Sequence, residues 1–135
     1  MIASLRSARG TAQGRGRVGA EKRRYRRLDT KIEARVKNLS DPEGATLQVT
    51  IVNLGPEGAF LYTEENLFPV QSQVALDFRI DSYPKEINVI AKVLWHKRTE
   101  VERGMGCQFV HIPLFEKNII IDYILRRYAE YQSRL

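Results

Sequence analysis

Hydrophobic and polar residues alternate along most of this chain. Ile32, Ala34 and Val36 are interleaved with Lys31, Glu33, Arg35 and Lys37; Ala45, Leu47, Val49 and Ile51 with Thr46, Gln48 and Thr50; Val74, Leu76, Phe78 and Ile80 with Ala75, Asp77 and Arg79. A period of two sends every second side chain to the same face of a pleated strand, so these segments predict half-buried strands. Ala59–Thr63, Ile87–His96 and Met105–His111 are further strand segments, apolar on both faces in places. Turn-forming stretches separate them: Asn38–Gly44, Gly55–Gly58, Glu64–Ser72 around Pro69, Asp81–Pro84 and Thr99–Gly104. Short strands at this spacing predict an all-β antiparallel sandwich or barrel. After Pro113 the period changes. Ile121, Ile124, Leu125 and Tyr128 fall at i, i+3, i+4 and i+7, which predicts an amphipathic helix over about 114–132 with those residues on the face that packs against the strands. Arg126 and Arg127 in its C-terminal half suit the helix dipole.

Length adds a bound. At 135 residues, 43% of them hydrophobic, the chain has material for one domain and one core. Charge adds an asymmetry. Nine of the 22 basic side chains but only one of the 16 acidic ones, Glu21, lie within residues 1–27, so that segment carries +8 and the remainder −2. A basic arm on a near-neutral body predicts a polyanionic partner held at the root of the arm. Residues 1–20 hold four glycines and almost no large apolar side chains. They predict a disordered basic tail, its glycines unsuited to the amphipathic helix of an organelle-targeting peptide, ahead of a domain over 21–135.

Several classes of function drop out. A single cysteine, Cys107, rules out a disulfide scaffold and a Cys-based metal site and points to a reducing compartment, while His96 and His111 alone offer few metal ligands. The sequence contains no apolar run of the roughly 20 residues a membrane span needs, and no continuous apolar leader. A cytoplasmic protein without membrane insertion is the expectation. No nucleophile elbow, HExxH or phosphate-binding GxxxxGK[ST] occurs, Asp77 and Asp81 fall on the polar side of a strand, and Cys107 shares a face with Met105 and Phe109 as a small core residue. The chain is expected to be no enzyme.

Two stretches carry candidate binding chemistry. In Glu21-Lys22-Arg23-Arg24-Tyr25-Arg26-Arg27-Leu28, four arginines in five positions precede the first strand and cannot all point inward. Guanidinium forks grip phosphate oxygens bidentately and also match the O6/N7 edge of guanine, so a phosphorylated purine would engage several at once. In Asn53-Leu54-Gly55-Pro56-Glu57-Gly58, a Gly-Pro-x-Gly turn joins two strands. Its glycines allow close backbone approach to a ligand, and the Asn53 amide offers both a donor and an acceptor to a base edge. Each also has a plain reading, as a solvated basic patch and as an ordinary hairpin turn.

Taken together, the two stretches resemble the PilZ domain, a bacterial receptor module for cyclic di-GMP. Arg23–Arg27 matches that family's RxxxR motif, and Asn53–Gly58 its [D/N]xSxxG motif, except that Gly55 stands where the family has Ser. Gly104-Met105-Gly106-Cys107-Gln108-Phe109 is similar to the family's late GxGxxF strand, and Val93-Leu94-Trp95 to the strand before it. The resemblance spans about residues 21–130. It implies a six-stranded antiparallel β-barrel with a C-terminal helix, with cyclic di-GMP as ligand and no cofactor. Arg23, Arg24 and Arg27 would lie on phosphates and guanine edges, with Asn53, Gly55 and Gly58 lining the turn beneath. Ligand-driven ordering of the arm would be the signal passed to a downstream protein partner. Two other functions fit the same residues: a PilZ-like adaptor that binds no nucleotide, and a small-barrel nucleic-acid binder. The body lacks the basic groove with stacking aromatics that nucleic acid calls for, Tyr25 being the sole aromatic within the basic cluster.

Overall fold

The computed structural model describes residues 27–133, with side chains as far as Glu130. The expectations for the tail over 1–20 and for Arg23 and Arg24 fall outside these residues.

Six strands form: β1 (Leu28–Asn38), β2 (Thr46–Gly55), β3 (Gly58–Tyr62), β4 (Gln73–Phe78), β5 (Ile87–Arg98) and β6 (Arg103–His111). They close into an antiparallel barrel in the order β1-β2-β3-β6-β5-β4. Closure comes from β1, which pairs with β2 along one edge and with β4 along the other, where Ala34 faces Phe78 and Val36 faces Leu76. The predicted alternation holds. Val36, Ile51, Leu61, Leu76, Val89, Val93 and Met105 all point into the barrel and are fully or almost fully buried. The turns are local chemistry. Asn38 Oδ1 accepts from Ser40 N at 2.9 Å, and Gly44, at φ 60°, takes the left-handed step that lets Asn38 N reach Ala45 O at 2.9 Å.

Helix α1 (Leu114–Ser133) follows Pro113, whose carbonyl accepts from Lys117 N at 2.9 Å. Its packing corrects the sequence reading. The buried side chains are Ile120, Tyr123 and Ile124, with Ile121 only half-buried and Leu125 exposed. The run Ile119-Ile120-Ile121 gives a 3.6-residue period two overlapping apolar faces, and the pattern alone has no means of choosing between them. The dipole reading also changes. The helix runs on to Ser133 with no basic residue in its last turn; Arg126 pairs with Asp122 at 2.9 Å, and the Arg127 guanidinium lies 5.5 Å from the centre of the Tyr123 ring. No helix among the described residues is long and apolar enough to cross a membrane.

Candidate functional site

Five strands meet in one lateral row on the outside of the barrel. Asp29 faces Asn53, Asn53 faces Phe60, Phe60 faces Gly106, and Gly106 faces Trp95. Three register shifts set this row, between Asp29 and Ile32, between Ile51 and Asn53, and between Val93 and Trp95. A bulge adds a residue to one strand and re-aims the side chains after it, which is how Asn53 and Trp95 come to share a surface.

Glycine shapes the floor of that surface. A Cβ placed on Gly106 would run into the Trp95 indole, and one on Gly104 into the Leu61 carbonyl and the tip of the Phe60 ring. With only hydrogen at those positions the two rings lie flat against β6. They stack, with centroids 5.3 Å apart and planes 24° apart, leaving Trp95 42% exposed as a platform.

Beside the platform opens a cavity of about 260 Å³, lined by Arg27, Asn53, Phe60 and Trp95, with Lys97 and Glu102 also at its wall. Lys97 and Glu102 form an ion pair there. Asn53 Oδ1 is buried and has no hydrogen-bond partner among the described residues. The other such atom, Arg103 Nε, belongs to a guanidinium whose Nη2 donates to the Glu65 carbonyl at 3.3 Å. Arg27 is half-buried at the start of β1, and its carbonyl accepts from the Tyr128 hydroxyl of α1 at 3.3 Å.

The turn below is tight. Gly55 pairs with Gly58 across a two-residue Pro56-Glu57 turn, and Phe109 N donates to the Glu57 carbonyl at 2.9 Å. Gly58 has a steric reason to be glycine: an added Cβ would lie 2.5 Å from the Cys107 carbonyl oxygen and 3.3 Å from Arg27 Nη2. Gly55 is in extended backbone, since Gly44 is the one glycine with positive φ among the described residues. Of the residues singled out in the sequence, Arg27 and Asn53 therefore share a cavity, Gly58 lies against the Arg27 guanidinium, and Gly55 closes the turn.

Residues with no role in the motif readings complete the picture. Phe60 and Lys97 were not flagged at all, and Trp95 only as part of a strand; the signal was the GxG pair opposite them, whose missing side chains make room for the rings. His96 Nε2 lies 2.7 Å from the Phe68 carbonyl, so it donates there and anchors the loop before β4. Burial pushes the Cys107 thiol up to about 12, which keeps it protonated and unreactive. No group of three or more His, Cys, Asp or Glu able to hold a metal ion occurs among the described residues. A larger cavity, about 440 Å³, opens where β1 and β4 meet under Tyr123. Within it Arg35 Nη2 stands 2.8 Å from Glu86 and 3.7 Å from Asp77.

The PilZ domain family model matches residues 21–126. This chain belongs to the PilZ domain family. Among solved structures it is similar to the inhibitor of motility MotI/DgrA of Bacillus subtilis, with a TM-score of 0.70 and 18% identity over 81% of this chain and 52% of that one. It is also similar to the PilZ domain of YcgR from Escherichia coli with cyclic di-GMP, at TM-score 0.64 and 12% identity, covering 84% and 96% of the two chains. A third is the K. pneumonia MrkH–cyclic di-GMP complex, at TM-score 0.65 and 15% identity, covering 84% and 56%. The chain thus spans about half the length of MotI/DgrA and of MrkH, and nearly all of the YcgR PilZ domain. No curated protein matches its sequence. At these identities the likeness is one of fold, and it establishes the barrel with a C-terminal helix that the resemblance implied. In PilZ terms, the last residue of the RxxxR motif, Arg27, and the first of the second motif, Asn53, line the same cavity.

Proposed function

We propose that this PilZ protein is a receptor for cyclic di-GMP, without catalytic activity of its own, that signals to a downstream protein when its arginine arm closes on the ligand. The observation that carries this reading is the orphaned Asn53 Oδ1. A buried acceptor without a partner costs about 1–3 kcal/mol, a cost removed when a ligand brings a donor. Guanine carries one in its N2 amino group, and its O6/N7 edge matches an arginine fork. Arg27 lines the same cavity as Asn53, and Trp95 offers a flat apolar ring for the base to stack on. At about 260 Å³ the cavity lies below the roughly 300–1,000 Å³ of sites that enclose a whole small molecule. It suits one base, with the phosphates outside it, where Arg23 and Arg24 of the arm would meet them.

Gly55 removes the hydroxyl that the family motif has at that position. One neutral hydrogen bond is worth about 0.5–1.5 kcal/mol, against about 1.5–3 kcal/mol for each charge-assisted arginine contact, so the arginines outweigh the loss. Isothermal titration with cyclic di-GMP, with cyclic di-AMP and GTP as controls, tests the reading. Saturable heat with cyclic di-GMP alone is expected, and Arg27→Ala should weaken it by about ten- to over a hundredfold with little change in melting temperature. Absence of heat with the wild-type protein would leave the adaptor function in its place.

A further inference from the structure

The outer side of α1 carries chemistry that the ligand site does not use. Leu114, Phe115 and Leu125 are 73%, 64% and 62% exposed, while the helix rests on the barrel through Ile120, Tyr123 and Ile124. At about 100° per residue, Leu125 stands about 100° round the helix from Ile124 and about 200° from Tyr123. Its side of the helix therefore faces away from the barrel.

That side has a repeat. Leu114, Asn118, Ile121 and Leu125 succeed one another at steps of four, three and four residues, the alternation of d and a positions in a coiled-coil seam, before Tyr128 turns onto the barrel. The polar member, Asn118, falls at an a position. There it meets its own copy across a two-fold axis, and one buried Asn pair at a is the device that selects a two-stranded parallel pair and fixes its register. The flanks agree. Lys117 falls at g, and Asp122 at the e position that a parallel neighbour sets opposite it, so two ion pairs of opposite sign form by symmetry. Within one copy the Lys117 ammonium is 3.9 Å from Glu57, and Asp122 is 54% exposed beside Arg126, so both remain open to a further partner.

We propose that two copies of this chain pair in parallel through the Leu114–Leu125 stripe of α1. The occupant is a second copy rather than a foreign helix because both specifying features, Asn118 against Asn118 and Lys117 against Asp122, are self-complementary. The barrels hang from the c and f positions (Ile120, Tyr123) and from Ile124 at the flanking g position, and Leu114, Asn118 and Leu125 stay exposed where the two helices meet. A stripe of four positions is shorter than the three to four heptads of a stable coiled coil, which makes the dimer reversible.

Sedimentation velocity on the full chain over a range of concentrations should show a monomer–dimer equilibrium. Leu125→Glu should weaken it at least tenfold with an unchanged melt, since Leu125 is exposed in the monomer. Asn118→Cys should give a disulfide-linked dimer under mild oxidation, because equivalent a positions face each other only in a parallel pair; buried Cys107 stays silent and needs no replacement. A wild-type chain that stays monomeric throughout, as it would if another protein were the occupant, overturns the proposal. So does a dimer that survives Leu125→Glu, or an Asn118→Cys dimer that fails to cross-link. Should Leu125→Glu not fold, the cross-link alone decides.

Discussion

Asn53 holds its side-chain oxygen out of water with no bonding partner among the described residues, and Arg27 lines the same cavity, about the size of one base. Both residues were singled out in the sequence, Arg27 because four arginines in five positions cannot all pack inward and Asn53 because it shares a stretch with the Gly-Pro-x-Gly turn. Gly55 was singled out as the departure from the family motif, and its place before Pro56 disfavours left-handed backbone. The structure gives it extended backbone, so replacing it brings no φ strain. Gly55→Ser is therefore expected to tighten cyclic di-GMP binding by about two- to tenfold, the worth of one neutral hydrogen bond, with no fall in melting temperature. Weaker binding together with a lowered melt would show that the turn has no room for the hydroxymethyl group. Cys107 makes a prediction in pH. Burial raises its thiol from an ordinary 9.0 to about 12. Between those values the unfolded chain has released a proton that the folded chain keeps, so stability falls as pH rises, by up to about 1.4 kcal/mol per pH unit. Urea titrations of wild type and Cys107→Ala at several pH values from 8 to 11 should show the extra alkaline slope only in the wild type. Parallel slopes would mean that the thiol is reached by water.

Strands announce themselves by alternation, and every one of the six was visible in the sequence. What alternation does not show is where it slips. The bulges beside Asn53 and Trp95 decide which side chains share a surface, and they depend on pairing between strands far apart in the chain. For that reason Trp95 reads in sequence as one more strand residue, although in the fold it lies on Gly106 and stacks on Phe60. Gly106→Ala is expected to push the indole off β6. Trp95 is the only tryptophan, so its emission should shift to longer wavelength. Loss of a stacking surface worth about 1–3 kcal/mol should lower affinity roughly tenfold or more. Unchanged emission and unchanged affinity would remove the platform from the site. The helix shows the same limit from another side. Three consecutive isoleucines fit two faces equally, and the choice of Ile120 with Tyr123 and Ile124 is made by the barrel surface they land on.

Over the whole molecule, the sequence by itself left sandwich and barrel open, because closure rests on the pairing of β1 with β4, some forty residues later in the chain. The family resemblance chose the barrel. The family match begins at residue 21 and the first strand at Leu28. A protein shortened to start at Glu21 is accordingly expected to bind cyclic di-GMP with unchanged affinity and to melt at the same temperature. A loss of tenfold or more would bring Arg15 or Arg17 into the site. The bond from the Tyr128 hydroxyl to the Arg27 carbonyl joins residues 101 positions apart. During synthesis the turn and the aromatic platform leave the ribosome well before Tyr128 does, and until it emerges nothing from the helix holds the root of the arginine arm. A nascent chain therefore has every strand of its barrel in hand before it gains this anchor, which forms only once Tyr128 has emerged.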